Sequence, residues 1–271
     1  MGYKEKKQSL IQYLSERMIE DTAVAFSGGV DSSLLLKICC DQAGKTGNKV
    51  YAITLHTMLH PAADLEIAAR VAKEAGAVHL VLHIDELNEA GIRFNPVDRC
   101  YLCKKCLFQK LIEKAKEHGV TQILEGTNAD DLKVYRPGIR AVQELGVLSP
   151  LAKYDFTKEE VRRLAEEYHI SVANRPSTPC MATRFPYGTE LSYDRIKDVE
   201  SGEQWLRERG FYNVRLRVHG KIARIEVDQE SMESLLTIRE EVIRELSRYG
   251  YDYITLDLMG FRSGSMDIHL K

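Results

Sequence analysis

Four features that would place a protein in other functional classes are missing from this sequence of 271 residues. No apolar run approaches the roughly 18 residues of a membrane-spanning helix, and the N-terminal residues show no signal-peptide pattern. We therefore expect a cytoplasmic protein with no membrane partner. The formal net charge of −2 predicts no overall attraction to nucleic acid, and we expect no nucleic-acid partner. The eight histidines show no HExxH or similar metal-binding spacing.

The six cysteines are not expected to form a disulfide framework, because the sequence shows no export signal. Cys39 and Cys40 are adjacent in an apolar helical run, which is typical of buried small side chains. The other four are candidate metal ligands, three in a CxxCxxC segment and one far downstream: Cys100, Cys103, Cys106 and Cys180.

A helix through the CxxCxxC segment would turn its third cysteine away from the first. Helical geometry places Cys100 and Cys103 about 60° apart, whereas Cys106 lies about 120° from Cys100. We therefore expect Cys106 to point elsewhere, which leaves Cys100, Cys103 and Cys180 as ligands. Three thiolates suit a [4Fe–4S] cluster in which one iron lacks a protein ligand and carries a sulfide. A zinc site, and thiols with no metal, remain alternatives.

Short apolar strands alternate with helices over the first two thirds of the chain. The strands are predicted at 22–26, 50–56, 79–85 and 122–126. This alternation predicts parallel pairing with right-handed crossovers, hence a doubly wound α/β domain over residues 1–172. A capping box from Thr157 to Glu160 begins its last helix. Residues 173–271 predict a smaller α+β domain with a largely antiparallel sheet, two strands of which are joined through Gly220.

A glycine-rich turn follows the first strand and begins the next helix. Two glycines allow a tight bend that brings backbone N–H groups close to an anion, and the helix adds unpaired donors and its positive dipole end. Asp31 could hold a magnesium ion that bridges phosphates. No lysine follows the glycines, so this is not a Walker-type loop, and the alternative is an ordinary turn before a capped helix. The predicted nucleotide-binding residues here are Ser27, Gly28, Gly29, Asp31, Ser32 and Ser33.

The segment SGGVDSS in this turn resembles the PP-loop of the N-type ATP-pyrophosphatases. The resemblance implies that ATP is cleaved between its α and β phosphates, which yields pyrophosphate and an adenylate of the substrate. The segment Leu124–Asp131 is similar to the second ATP-side segment of these proteins and adds Gly126 to the predicted site. Both segments follow strands, and open α/β sheets bind ligands at the carboxyl ends of their strands.

Six stretches together resemble one family, the LarE-type sulfur transferases: SGGVDSS, DRCYLCKK, VYRPG, RFPYGT, VRLRVHGKIARIEV and ITLDLMGFRSGSM. Membership implies an enzyme that adenylates the carboxylates of pyridinium-3,5-biscarboxylic acid mononucleotide and converts them to thiocarboxylates, in nickel-pincer nucleotide biosynthesis. ATP and Mg²⁺ would be cofactors, and a sulfur donor protein or free sulfide a partner. One subgroup takes sulfur from a cysteine at the position that reads Pro179 here. The resemblance therefore favours the subgroup that bears a [4Fe–4S] cluster, and related enzymes lead us to expect a homo-oligomer.

The same resemblance suggests roles for individual side chains. Cys180, Arg184 and Lys104 are the predicted catalytic residues, and Arg184 is expected to contact ATP phosphates or the charge that develops at the reacting carboxyl. Arg215 and Arg217 are two apart on a predicted strand and therefore share a face. Two guanidinium groups side by side suit a substrate phosphate or paired carboxylates, while a solvated strand face is the alternative.

Other readings remain open at this point. Glu203, on a predicted amphipathic helix, is a further candidate metal ligand at a subunit contact. A tRNA thiolase of the same superfamily would need a basic RNA-binding surface. A non-catalytic ATP- or metal-binding regulatory module would bind ATP without turnover, and a ligase that uses ammonia would leave the cysteines unexplained.

Overall fold

The structure, a computed structural model, describes residues 1–61, 63–134, 136–176, 178–262 and 266. Two of the stretches quoted above therefore lie partly outside the described residues, VYRPG at Tyr135 and ITLDLMGFRSGSM at 263–265. The chain forms two compact units, the first comprising Met1–Ile92 and Asp98–Thr178, the second Arg93–Val97 and Pro179–Lys271. No helix in the described ranges is both long and apolar enough to cross a membrane.

The first unit alternates strands with helices along the chain. Its strands are β1 (Thr22–Ala25), β2 (Val50–His56), β3 (Val78–His83) and β4 (Ile123–Leu124). Its helices are α1 (Tyr3–Arg17), α2 (Val30–Thr46), α3 (Ala63–Ala75), α4 (Glu86–Glu89), α5 (Arg99–Glu117), α6 (Pro137–Glu144), α7 (Pro150–Lys153) and α8 (Lys158–Glu167). The strands pair in parallel in the order β3-β2-β1-β4.

The sheet of the first unit is covered on both faces. Alternate residues of β1 belong to different apolar cores, because successive side chains of a strand point to opposite faces. Val24 shares one core with Leu34 of α2, and Ala23 shares the other with Phe108 of α5. The predicted doubly wound α/β fold is thereby confirmed. The strand order reverses between β1 and β4, and such a switch point opens a crevice at the carboxyl ends of the two strands.

The last helix of the first unit begins as the sequence predicts. The Thr157 hydroxyl accepts a hydrogen bond from Glu160 N at 3.2 Å, and Thr157 N donates to Glu160 Oε2 at 2.9 Å. This capping box satisfies donors that the start of a helix leaves free. It also makes Lys158 the first residue of α8.

The second unit is α+β, with a small mixed sheet. Its elements are α9 (Tyr193–Arg207), β5 (Arg215–His219), β6 (Ile222–Glu226), α10 (Met232–Thr237), α11 (Arg239–Ser247) and β7 (Tyr253–Leu256). Gly220, at φ +62°, begins the two-residue loop of the antiparallel β5–β6 hairpin. The expectation of a largely antiparallel sheet holds for this pairing only. β7 runs parallel to β6, because α10 and α11 return the chain to the same end of the sheet.

The two units divide the chain differently from the predicted boundary at residue 172. Residues 173–178 belong to the first unit, whose core includes Ala173. The segment Arg93–Val97 belongs to the second unit, where the buried Asn95 amide donates to the carbonyls of Phe185 at 3.0 Å and Pro186 at 2.8 Å. A short segment within the sequence of the first unit is thus part of the second.

Candidate functional site

The loop after β1 has the tight bend that its glycines predict. Gly28 has φ +71°, and a Cβ atom there would lie 3.0 Å from the backbone Cα of Ala68 in α3. Only glycine fits such a position without strain. Gly29 is the N-cap of α2, and no side chain caps this helix. The start of α2 therefore offers backbone donors to an anion.

The serines of this loop differ in how their hydroxyl groups are used. Ser32 Oγ donates to Gly29 O at 3.1 Å and lies 3.3 Å from Ser27 Oγ, which orders the loop. Ser33 Oγ is buried and has no hydrogen-bond partner within the described part of the chain. A buried hydroxyl without a partner is unusual, and an anionic ligand would satisfy it.

Gly126 brings the end of β4 against the phosphate loop. A Cβ atom on this residue would lie 2.9 Å from the backbone nitrogen of Ser32 and 3.1 Å from Asp31 Cβ. Any larger residue would push the two segments apart. The two stretches that the sequence assigns to ATP therefore lie against each other at the switch point of the sheet.

Asp31 is held by two side chains from elsewhere in the first unit. Asn128, itself buried, donates from Nδ2 to Asp31 Oδ1 at 3.0 Å. Lys158 Nζ forms a short ion pair with Asp31 Oδ2. Asp31 keeps a side-chain exposure of 20%, so that its carboxylate faces the crevice. Sequence reasoning missed Lys158, whose only signal was its position directly after the capping residue Thr157.

A small open cleft of about 80 Å³ lies beside this loop, at the carboxyl end of β2. Its lining includes Ser27, Thr54, His56, His60 and Asp64. Desolvation lowers the pKa of His60 although part of its side chain is exposed; the charge of Asp64 opposes the shift and that of Lys104 adds to it. The Nδ1 atom of His60 lies 3.0 Å from the Thr57 hydroxyl.

The first turn of α5 carries two of the predicted cluster ligands. Cys100 is exposed and Cys103 half-buried, and a guanidinium nitrogen of Arg99 donates to Cys100 Sγ at 3.9 Å. The segment is helical, as the argument about Cys106 requires. Burial raises the pKa of Cys106. In the nearby ion pair, the charge of Lys110 acts to lower this pKa and that of Glu89 acts to raise it.

Within the described ranges, no group of three or more His, Cys, Asp or Glu side chains could hold a metal ion. Cys100 and Cys103 belong to the first unit and Cys180 to the second. Thiols are nevertheless the donor type that iron–sulfur clusters use.

Cys180 stands at the start of a short 3₁₀ turn, Met181–Arg184, in the second unit. The Thr183 hydroxyl donates to Cys180 O at 2.8 Å. Arg184 Nη1 donates to the same carbonyl, and to Pro179 O, at 3.4 Å each. The backbone of Cys180 is thus fixed by the side chains that follow it, while its thiol is half-buried.

Arg184 is used inside the protein rather than presented to a ligand. It is 1% exposed, and its Nε and Nη2 atoms donate to the two carboxylate oxygens of Glu203 at 2.8 and 2.9 Å. Its predicted contact with ATP phosphates stays a prediction; in the structure its third guanidinium nitrogen, Nη1, donates to the carbonyl of Cys180 at 3.4 Å. Glu203 also accepts from Arg207 and from Leu216 N, so the suggestion that it binds a metal is wrong.

Arg215 and Arg217 lie on the same face of β5 but differ in their partners. Arg217 is 4% exposed, donates from Nε and Nη2 to Glu226 at 3.1 and 3.0 Å, and donates from Nη1 to Thr183 O at 2.8 Å. Arg215 is half-buried over the ring of Phe261 and, among the described residues, donates only to a backbone carbonyl, that of Val214. Among the two predicted phosphate ligands, Arg215 therefore has the available guanidinium group.

A parallel sheet with a glycine-rich phosphate loop after β1, facing Gly126 after β4, defines the class of PP-loop ATP-binding enzymes. A family model described as the PP-loop domain matches residues 3–133. Pyridinium-3,5-bisthiocarboxylic acid mononucleotide synthase of Lactiplantibacillus plantarum is 37% identical over 262 residues, which cover 97% of this chain and 94% of that protein. The chain belongs to this LarE family of PP-loop ATP-pyrophosphatases and is an ATP-dependent sulfurtransferase.

Two other relatives differ in how much of the chain they match. An uncharacterized protein of Synechocystis is 33% identical over 264 residues, 97% of either chain. The tRNA-specific 2-thiouridylase of Rickettsia bellii is 28% identical over 66% of this chain and 59% of its own length. Similarity to the tRNA enzyme is thus partial, whereas similarity to the synthase extends over nearly the whole chain.

Proposed function

We propose that this enzyme adenylates the carboxylates of pyridinium-3,5-biscarboxylic acid mononucleotide and converts them to thiocarboxylates in the cytoplasm, as a step in nickel-pincer nucleotide biosynthesis. The observation that carries the proposal is the 37% identity, over 97% of the chain, to a protein named as the synthase of the bisthiocarboxylic acid. The packed phosphate loop and the half-buried Arg215 supply what a reaction between ATP and an anionic nucleotide requires.

The first chemical step is the attack of a substrate carboxylate oxygen on the α-phosphorus of ATP, from which pyrophosphate leaves. Backbone N–H groups at the start of α2 and the Ser33 hydroxyl hold the phosphates. Asp31 has a partly exposed carboxylate that could bind Mg²⁺, and Lys158 adds a positive charge beside it. A sulfur nucleophile then attacks the carboxyl carbon, and AMP leaves.

The proposed source of sulfur is a [4Fe–4S] cluster held by Cys100, Cys103 and Cys180. Such a cluster, when bound, supplies sulfide at the iron that has no cysteine ligand. Arg99 and Lys104, next to Cys100 and Cys103 in the sequence, carry positive charges that would offset the negative charge of such a cluster. The Cys180 backbone is fixed by Arg184 and Thr183, which suits a ligand more than a residue consumed in each turnover.

The function is tested by incubating the purified protein with ATP, Mg²⁺ and the dicarboxylate mononucleotide. We expect pyrophosphate and AMP to be released, and the substrate to gain the mass of sulfur for oxygen when sulfide is supplied. Nicotinamide mononucleotide, which has no carboxylate, is the matched control and should release no pyrophosphate. Absence of pyrophosphate with the dicarboxylate would contradict the proposal.

The cluster is tested separately, by iron and acid-labile sulfide analysis of protein purified without oxygen. Cys100→Ala and Cys103→Ala should lose iron, while Cys106→Ala, in the same helix, should keep it. Equal iron content in Cys100→Ala and Cys106→Ala would refute the choice of ligands.

A second candidate, thiolation of tRNA, is favoured only by the partial similarity to the thiouridylase. It predicts a salt-sensitive gel shift with tRNA, since phosphate contacts release counterions. Pyrophosphate release that depends on tRNA, and not on the dicarboxylate, would establish it instead.

A further inference from the structure

One face of the second unit's sheet is polar and dominated by arginine. The apolar side chains of the β5–β6 hairpin are buried on the opposite face: Leu216, Val218, Ala223 and Ile225. On the polar face Arg215 is paired with Glu226 across the strands, and Arg217 with Arg224. Two arginines directly opposite each other on neighbouring strands are unfavourable unless anions compensate them.

The carboxylates of this region do not balance its arginines. Each of three carboxylates pairs with two guanidinium groups: Glu203 with Arg184 and Arg207, Glu226 with Arg217 and Arg224, and Asp257 with Arg224 and Arg262. Arg215 adds a sixth arginine and has no carboxylate within ion-pairing distance in the described part of the chain. Among the described residues, six arginines against these three carboxylates leave an excess of three positive charges.

The pKa values of two groups on this face are lowered. Burial, and then the neighbouring charge of Arg184, lower the pKa of Arg215 to about 10, with Glu203 opposing them. Burial, followed by the charges of Arg224 and Arg217, also lowers the pKa of His219 on the same face. Burial is the largest cause of both shifts, and the charges of neighbouring arginines add to it.

Arg224 and Arg262 are only partly satisfied members of this arginine cluster, although Arg224 Nη2 donates to Glu226 Oε1 at 3.1 Å. Asp257 lies 3.6 Å from Arg224 Nε and 3.5 Å from Arg262 Nη2, which are ion-pair rather than hydrogen-bond distances. The Nε atoms of both arginines are buried and have no hydrogen-bond partner among the described residues. Side-chain exposures of 29% and 33% leave the rest of these groups accessible. Buried donors without acceptors are unfavourable, and an anionic ligand would relieve them.

We propose that Arg224 and Arg262 form a second anion site, which binds the carboxylate that is not being activated while Arg215 binds the phosphate of the same substrate. The inference rests on the proposed function and specifies how the substrate is recognised. Arg215 and Arg224 are diagonal neighbours across the hairpin, and the Cα atoms of such neighbours lie roughly 7–8 Å apart. A phosphate of about −2 and one carboxylate together match the excess of three positive charges. The substrate class is therefore a mononucleotide with an acidic base.

The proposal is tested by titration calorimetry of the full-length protein with two ligands, the dicarboxylate mononucleotide and nicotinamide mononucleotide. Arg262→Gln should weaken binding of the dicarboxylate about tenfold, the effect of one charge-assisted hydrogen bond, and leave nicotinamide mononucleotide unchanged. Arg215→Gln should weaken both ligands by a similar factor, because both carry the phosphate. Arg224→Lys, which keeps the charge beside Glu226, should weaken the dicarboxylate only, by a smaller factor.

Arg239→Gln is the matched control, since Arg239 is 66% exposed on α11 of the same unit, and it should change neither affinity. Thermal melts of each variant identify any that fail to fold, and Arg224→Lys keeps the test valid if Arg262→Gln is one of them. Equal weakening of both ligands by Arg262→Gln, or none, would overturn the second anion site. If wild-type protein releases no pyrophosphate with the dicarboxylate, the proposed function fails instead. If Arg262→Gln has the same KM for the dicarboxylate as the wild-type enzyme, the second anion site is overturned and the proposed function is not.

Discussion

The two units of this enzyme offer different kinds of donor to the anions that we propose they bind. In the first unit the donors are backbone N–H groups and hydroxyls at an uncapped helix start, and they are placed by the path of the chain through Gly28 and Gly126. In the second unit the donors are guanidinium groups, and buried carboxylates such as Glu203 and Glu226 place them. We therefore expect larger side chains in the phosphate loop to impair the first unit, and the loss of charged side chains to destabilise the second.

Loss of charge in the second unit should give the largest effect. Glu203→Gln keeps the shape of the side chain but leaves Arg184 buried without its counter-ion, which should lower the free energy of unfolding by about 3–5 kcal/mol. Urea denaturation measures the change. Glu208→Gln, at the exposed end of the same helix, should stay within about 0.5 kcal/mol of wild type. Equal stability of the two variants would show that carboxylates do not organise this unit.

The same carboxylate predicts that the second unit is sensitive to acid. Burial alone would raise the pKa of Glu203, but hydrogen bonds and charge from Arg184 outweigh it and hold the pKa below its usual 4.5. Because the folded pKa lies below the unfolded one, the stabilisation is present above about pH 4.5 and is lost as pH falls through the folded pKa. Unfolding free energies measured across this range should fall more steeply in wild type than in Glu203→Gln. Parallel curves would contradict the assignment.

Added volume should have the largest effect in the first unit at Gly126. Gly126→Ala forces a Cβ atom to within 2.9 Å of Ser32 N, so the loop must move by a fraction of an ångström or more. Stability should fall by about 1–3 kcal/mol, and pyrophosphate release by up to about a hundredfold through misplacement of ATP. Gly44→Ala, in α2 with nothing within 4 Å of the added methyl, should instead stabilise by about 0.5–1 kcal/mol. A fully active Gly126→Ala would break the contrast between the units.

The smallest expected effect comes from Ser33 in the phosphate loop, which we compare with Ser32 in the same loop. Ser33→Ala removes a buried hydroxyl that has no partner in the described residues, so the melting temperature should stay the same or rise slightly. ATP should bind about tenfold more weakly by calorimetry, because the hydroxyl is expected to donate to a phosphate. Ser32→Ala should lower both stability and affinity, since Ser32 Oγ bonds within the loop. Unchanged ATP affinity in Ser33→Ala would exclude that hydroxyl from the site.

The sequence predicts the first unit well because its signals are local. Apolar strands alternate with helices, and glycines mark the turn after β1, so strand, loop and helix follow from neighbouring residues. The same holds for the Thr157 capping box. The ion pair between Lys158 and Asp31 was not predictable, because its partners are 127 residues apart and no local pattern joins them.

The second unit shows the limit more clearly. Pattern alone places Arg215 and Arg217 on one face of a strand, yet it does not say which of them is free. That depends on Glu226, nine residues away across the hairpin, and on the carbonyl of Thr183. The direction of β7 likewise depends on how α10 and α11 return the chain, which periodicity does not encode.

The segment Arg93–Val97 has a consequence for synthesis on the ribosome. It leaves the exit tunnel long before Phe185, Pro186 and Leu191, whose backbone groups bond to Asn95 and Arg93. During synthesis, the segment Arg93–Val97 therefore lacks its partners in the second unit until the last third of the chain has emerged. A gene fragment that starts at Pro179 would encode a unit without those partners, so exchange of this unit between relatives requires two inserts rather than one.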